Sequence, residues 1–353
     1  MRCPARFMAA TALAAVSLVP LSVTSRAAGA QPSLPPALGS FLTEEAHASP
    51  AEREALLAGN PLVKLLDADP SKEIAVLGAV WVKAPPRRYV EQMKNIEQFE
   101  RGGAFRITKR ISDPPVADDF AALTISDQDF EDLEDCRIGD CALKLDANGV
   151  QMLRSQVDWR KPTAKADATA LFRRLALQYV NGYREGGNAR LGIHRDREHP
   201  TFVANEFRSM VDRLPRLTAQ LPDLTRYLLE YPHATLANST DFLYWQETQF
   251  GLRPTVRISH LVIQDRPDQT VVASKMLYAC HYFWTALELR LLLPDPARGP
   301  GFWLVTVNRS RSDGLSGFTG RLIRGRVRSE VEDGTRGALT ATKTRLESQG
   351  RRP

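Results

Sequence analysis

The chain has 353 residues, 43% of them hydrophobic and 25% charged; this is ample material for a core and excludes disorder along the whole length. A mean hydropathy of -0.29 excludes a polytopic membrane protein, and 4 Cys in a chain of this size exclude a disulfide-dense mini-scaffold. The net charge of +6 owes half its size to Arg2, Arg6 and Arg26; without residues 1–30, which hold no acid, it is +3, and a global argument for nucleic-acid binding loses its support.

Residues 1–30 combine a basic start, an apolar run from Met8 to Val23 broken by Pro20, and Ala28-Gly29-Ala30 before Gln31. These are the three regions of a secretory signal peptide, so the protein is expected to be exported, to a periplasm in a Gram-negative host. The run is short for a membrane-spanning helix. Cys3 precedes it and does not sit where a lipoprotein cysteine would.

Residues 31–48 hold Pro32, Pro35, Pro36 and Gly39 and read as a flexible lead-in. A helix start follows at Ser49-Pro50 with Glu52 three residues on. Glu73–Val82 is β-branched and aromatic and reads as a strand, ended by Ala84-Pro85-Pro86. Arg87–Glu100 places Tyr89, Val90, Met93, Ile96 and Phe99 at three- and four-residue spacing, which predicts an amphipathic helix. Phe105–Ile111, Phe120–Ile125 and Cys141–Leu145 read as strands. The block from about 163 to 232 is mostly helical: Asp167–Tyr183, Phe202–Leu214 and Leu217–Tyr231, with Pro200, Pro215 and Pro232 marking the breaks. Strands return at Phe242–Gln249, Thr255–Gln264, Val271–Leu293 and Gly301–Arg309, the third long enough to be either one bent strand or two joined by a turn. Ser316–Glu347 closes the chain as a helix, with Leu322, Ile323, Val327, Val331, Leu339 and Leu346 on one stripe.

Cysteine usage fits export. Cys136 and Cys141 flank a short segment containing Gly139, and in an oxidising compartment they are expected to form a local disulfide worth about 2 kcal/mol by the chain-entropy relation. Cys280 lies in an apolar run and reads as a buried small side chain.

The element order runs strand, helix, antiparallel strands, helical block, antiparallel strands, long helix. A curved antiparallel sheet wrapping the C-terminal helix satisfies it, an α+β arrangement. The first strand with Ala84-Pro85 and the amphipathic helix after it resembles the opening of the START-like (SRPBCC, helix-grip) family, and the closing strands with the long helix resemble its ending. The likeness covers residues 50–160 and 240–350, within a domain expected at 49–350, and is one of pattern. The helical block at 163–232 departs from it and reads as an insertion. The resemblance implies a cavity between the sheet and the terminal helix that holds a lipid or other hydrophobic small molecule.

No His-Glu-x-x-His, Gly-x-Ser-x-Gly, phosphate loop or Gly-x-Gly-x-x-Gly occurs in the chain. His194 to His199 reads as a polar loop rather than a metal site. No cofactor, metal or nucleic acid is expected. The strands after residue 242 interleave polar groups with aromatics, as in an apolar cavity that orients an amphipathic ligand. The candidate ligand-binding residues are Tyr244, Glu247, Arg257, His260, Lys275, Tyr278, His281, Trp284 and Arg309; strand alternation puts Lys275 and His281 on one parity and Tyr278 and Trp284 on the other. Three readings follow: an exported carrier of a hydrophobic small molecule or lipid; an enzyme of the same architecture, with His260 or His281 facing Glu247 as its acid–base pair; and an envelope-surface protein whose Arg-rich segment 309–328 meets an anionic membrane surface.

Overall fold

Strand pairing runs through residues from both ends of the chain. A computed structural model describes residues 33–348 apart from 252 and 316, together with the side chains of all these except 217, 250 and 317–323. The signal-peptide reading of residues 1–30 lies outside the described residues.

Two short helices lead in, α1 (Pro36–Glu44) and α2 (Pro50–Leu57). The lead-in is therefore not flexible throughout: Pro36 starts α1, where its missing N–H costs nothing, and Leu38 and Leu42 are buried in the core. Ser49 caps α2 in a reciprocal box, its hydroxyl accepting from the Glu52 N–H at 3.3 Å and its own N–H donating to the Glu52 carboxylate at 2.8 Å. Strands β1 (Leu62–Leu65) and β2 (Glu73–Val82) follow, then α3 (Pro86–Lys94), the single turn α4 (Ile96–Phe99) and β3 (Phe105–Arg110). The chain next makes an excursion over α5 (Asp127–Glu134), α6 (Ala147–Gln156), α7 (Ala164–Gly186), the two-residue strands β4 (Ile193–His194) and β5 (Thr201–Phe202), α8 (Val203–Val211), α9 (Pro215–Gln220) and α10 (Pro222–Glu230). It ends with β6 (Ser239–Phe250), β7 (Arg253–Asp265), β8 (Thr270–Ala279), β9 (Phe283–Pro294), β10 (Phe302–Ser312) and α11 (Gly317–Ser348).

The result is an α+β molecule with one large curved antiparallel sheet and a long C-terminal helix. The sheet has eight strands in the order β1-β2-β10-β9-β8-β7-β6-β3. Strands β6 to β10 form a meander whose last member pairs with β2, Trp303 opposite Trp81 and Arg311 opposite Glu73. Both faces are covered. Val76, Val80 and Val82 face α3, α4 and α11, whereas Ala75, Leu77, Ala79 and Trp81 face α1, α2, α8 and α10. This is why β2 reads as an unbroken apolar run rather than an alternating one. Helices α5 to α7 cover the same side as α8, over Leu243, Trp245, Ile258 and Leu277.

Several sequence expectations need correction. Phe120–Ile125 and Cys141–Leu145 are not strands; the first opens in a 3-10 turn and the second is a loop. Phe120, Leu123, Ile125, Leu143 and Leu145 are apolar because they fill the core beneath α6 and α7, and short apolar runs carry no period that separates the two cases. The excursion between β3 and β6 covers residues 111–238, and the mostly helical block expected at 163–232 is its later part, α7 to α10. The run from Val271 to Leu293 is two strands, turning at Cys280–Tyr282 with Tyr282 at φ 59°. Cys136 and Cys141 are joined in a disulfide, and Cys280 is free and buried.

Helix α11 comes closest to the sheet at Gly78. A Cβ built there would lie 2.7 Å from Leu339 Cδ1, 2.8 Å from Thr306 Oγ1 and 2.9 Å from Thr335 Cγ2. Only glycine permits this approach in the middle of a strand. Gly78→Val should therefore lift α11 from β2 and lower stability by about 1–3 kcal/mol, read from the midpoint of urea unfolding; an unchanged midpoint would mean that the helix does not rest on β2.

Candidate functional site

Where α11 leaves the sheet, a cavity of about 440 Å³ opens between them. Its floor is the α11-facing side of the sheet: Tyr244, Arg257, Ser259, Ser274, Met276, Ala286, Glu288, Arg290, Leu304, Thr306 and Asn308. Its roof is Thr335, Ala338, Leu339, Ala341, Thr342 and Arg345 of α11, whose small side chains leave the space. Tyr89 and Phe99, from α3 and α4, and the following Glu100 close one end.

The floor mixes apolar and polar side chains, with a charged cluster among them. The Arg290 guanidinium is only 7% exposed; it donates to Glu288 at 2.7 Å and stands 3.9 Å from Glu100. The Glu100 carboxylate accepts from the Gln246 amide. Gln246 in turn accepts from Arg257 at 2.8 Å. Arg345 lies over the Phe99 ring at 4.4 Å, and Tyr244 and Ser274 share a hydrogen bond of 3.0 Å. These contacts leave three buried guanidinium nitrogens unpartnered: Nε of Arg257, Nη1 of Arg290 and Nε of Arg345. A buried charged donor without an acceptor is costly. Burial pushes the Glu100 carboxyl above its ordinary range, against the pull of Arg290. Glu100 and Glu288 are two acids against Arg257, Arg290 and Arg345, so this part of the cavity favours an anion.

The residues singled out from sequence divide between the two sides of the sheet. Tyr244 and Arg257 line the cavity. Lys275 and His260 face the other way and belong to a buried polar chain under α7 and α10. Lys275 donates to Asn188, to the Leu228 carbonyl at 2.9 Å and to Tyr183 at 3.4 Å. Tyr183 bonds His260 Nδ1 at 3.0 Å, and His260 Nε2 reaches Asp241 at 2.7 Å. Tyr227 donates to the same Asp241 oxygen at 2.6 Å. This chain fastens the insertion to the sheet. Tyr278 also faces the insertion, because an irregularity in the β7–β8 ladder pairs Ile258 with Tyr278 but Ser259 with Met276, leaving Leu277 over and breaking the expected alternation. Glu247 pairs with Arg106 at 3.1 Å, near neither histidine, so the acid–base pair expected with His260 or His281 is not formed. Trp284 is half-buried on the parity of Ala286, outside the cavity lining.

Arg309 and Arg311 are buried rather than displayed. Glu73 accepts from both, and Arg311 also donates to Glu206 of α8 at 2.6 Å. Further along the segment 309–328, among the described residues, Arg324 donates to the Pro70 carbonyl and Arg326 pairs with Glu330 in solvent. His194 and Asp196, read as part of a polar loop, are buried, while His199 is exposed. Among the described residues no group of three or more His, Cys, Asp or Glu is arranged to hold a metal ion, and no helix is long and apolar enough to cross a membrane.

Comparison with protein-family models, with curated proteins and with solved structures finds no match.

His281 carries a pH signature. Its Nε2 lies 3.0 Å from the Asp129 carboxylate and its Nδ1 3.2 Å from the Ala142 carbonyl, so both nitrogens meet acceptors. Burial works against protonation, but the bonds to Asp129 and the nearby Cys280 outweigh it and hold the imidazole up at about 10. A folded-state value raised above the ordinary 6.5 contributes stability that is complete below that pH and lost as pH rises through about 10. Wild type should lose up to about 1.4 kcal/mol per pH unit across this window relative to His281→Gln, measured by urea unfolding at stepped pH; parallel profiles would show that His281 is neutral in the fold.

Proposed function

We propose that the protein is an exported binder or carrier of an amphipathic small molecule or lipid with an anionic head group, held between the sheet and α11. The apolar side chains of the lining, among them Leu304, Leu339 and Met276, take the tail. Burial there contributes about 25 cal/mol per Å² of apolar surface. The arginines of the lining take a carboxylate or phosphate. The observation that carries this reading is the set of unpartnered guanidinium nitrogens on Arg257, Arg290 and Arg345 in a cavity lined by apolar and polar side chains together, since charged N–H donors suit an oxyanion. The volume lies within the range of small-molecule sites.

The curved antiparallel sheet, the long C-terminal helix and the cavity between them support the helix-grip resemblance, with residues 111–238 as an insertion that covers the opposite side of the sheet. The Cys136–Cys141 disulfide is compatible with an oxidising compartment, and with the leader it supports export, to a periplasm in a Gram-negative host. Neither His260 nor His281 lines the cavity, which favours carriage over the enzymatic alternative.

Calorimetric titration with decanoate and decanol separates head-group recognition from tail burial. Decanoate should bind more tightly than decanol. Arg257→Gln and Arg345→Gln should each weaken decanoate about tenfold or more, as expected for a charge-assisted hydrogen bond, and leave decanol within about twofold. Equal affinity for the two probes, or insensitivity of decanoate to both substitutions, would overturn the proposal.

A further inference from the structure

A second cavity, of about 360 Å³, lies on the other side of the sheet, beneath α7. Phe172, Leu175, Ala176, Tyr179 and Ile258 give it apolar and aromatic walls. Among the polar side chains that line it are His194 from β4 and Tyr278 from β8. Their rings meet edge to face with centroids 6.2 Å apart. His194 is 3% exposed, and its Nδ1 has no hydrogen-bond partner; the buried hydroxyl of Tyr278 has none either. Tyr179, beside them, is already committed, donating to the Leu277 carbonyl at 2.6 Å.

Two charged groups around this cavity, Lys144 and Asp146, are also committed. Lys144 is held by Asp196 at 3.2 Å and Asp313 at 2.6 Å. Asp146 caps α6, accepting from the Gly149 N–H at 2.7 Å. Arg190 is exposed. Burial, with the charge of Lys144 behind it, holds the His194 imidazole down at about 3, so the ring is neutral. A charged group set against the neutral imidazole and the Tyr278 hydroxyl would be penalised there. What the walls leave unsatisfied is one hydroxyl and one imidazole nitrogen, a pair that an oxygen able both to donate and to accept satisfies together.

We propose that this cavity is a second ligand site, taking a neutral, mostly apolar alcohol or phenol whose hydroxyl bridges His194 and Tyr278. It is separate from the site under α11 in position and in chemistry, and does not depend on it. Its two polar groups reach the same space for local reasons. The irregularity at Leu277 turns Tyr278 toward the insertion, and the β4–β5 pairing presents His194 from the insertion itself.

Thymol and para-cymene test this, because they differ by the hydroxyl alone. In equilibrium titrations thymol should bind about tenfold more tightly than para-cymene, the gain expected from satisfying buried donors and acceptors. Tyr278→Phe should remove that preference and leave para-cymene within about twofold. Ala176→Trp, folded by circular dichroism, should abolish both, whereas Ala338→Trp, which fills the cavity under α11, should change neither. The proposal is overturned if wild type does not bind thymol, if thymol keeps its advantage in Tyr278→Phe, or if Ala338→Trp rather than Ala176→Trp removes binding. Should Ala176→Trp fail to fold, Tyr278→Phe still decides, since it retains the ring and removes only the hydroxyl.

Discussion

Pairing of β2 with β10 sets the terms for everything built on the sheet. It joins strands from opposite ends of the chain, and both faces of β2 are buried as a result. Closing so long a loop adds little to the entropic cost, which grows only with the logarithm of its length, whereas the pair buries ten residues of β2 between two helical layers. At the end of the ladder stands Glu73, 1% exposed, facing Arg309 and Arg311. A buried carboxylate is tolerable only when it is fully partnered. This one is, and Arg311 extends the cluster to Glu206 and Ser209 of α8. The same ions therefore register the strand pair and anchor the insertion.

With β2 in place, the sheet offers two faces of different character. On one, Gly78 draws α11 into close contact at Thr335 and Leu339, while the charged cluster of the cavity includes Arg345 further along the helix. Three donors of that cluster remain without acceptors. On the other, α1, α2 and the segment 111–238 cover the strands with two large apolar clusters. The polar chain from Lys275 through Tyr183 and His260 to Asp241 joins the two elements without opening a site of its own. Alternation of side chains along the strands divides the work, and the irregularity at Leu277 is the point where that division is shifted.

Strongly patterned segments were legible in the sequence. Glu73–Val82 matches at both ends, and α7, α11 and the closing strands lie within a few residues of their expected places, whereas the helix expected over Arg87–Glu100 is broken at Asn95 into α3 and α4. The insertion was legible only in part. Caps at Ser126 and Asp146 mark α5 and α6, but these helices are short, and the apolar residues between them fill a core rather than follow a period. The proline-rich lead-in misled for a related reason: Pro35 and Pro36 suggested a loop, yet proline is well suited to the first turn of a helix. Of the cavity, Tyr244 and Arg257 were named in advance. Glu288 and Arg290 were not, although a signal was present, since they are the charged members of Leu287-Glu288-Leu289-Arg290-Leu291 and share one strand face. Arg345 carried no signal, because an arginine near a helix C-terminus is ordinary in solvent. Glu100 gained its meaning only when the strands brought Gln246 and Arg290 to it.

Native mass spectrometry of the gently purified protein and of its Ala338→Trp variant, each followed by organic extraction, tests the central claim most directly. The account predicts that wild type carries a non-covalent adduct that extracts as an acidic amphiphile, and that the folded variant, its cavity under α11 filled, lacks it. An adduct retained in full by Ala338→Trp, or none on wild type from several expression hosts, would contradict the claim that this cavity is where the protein holds its ligand.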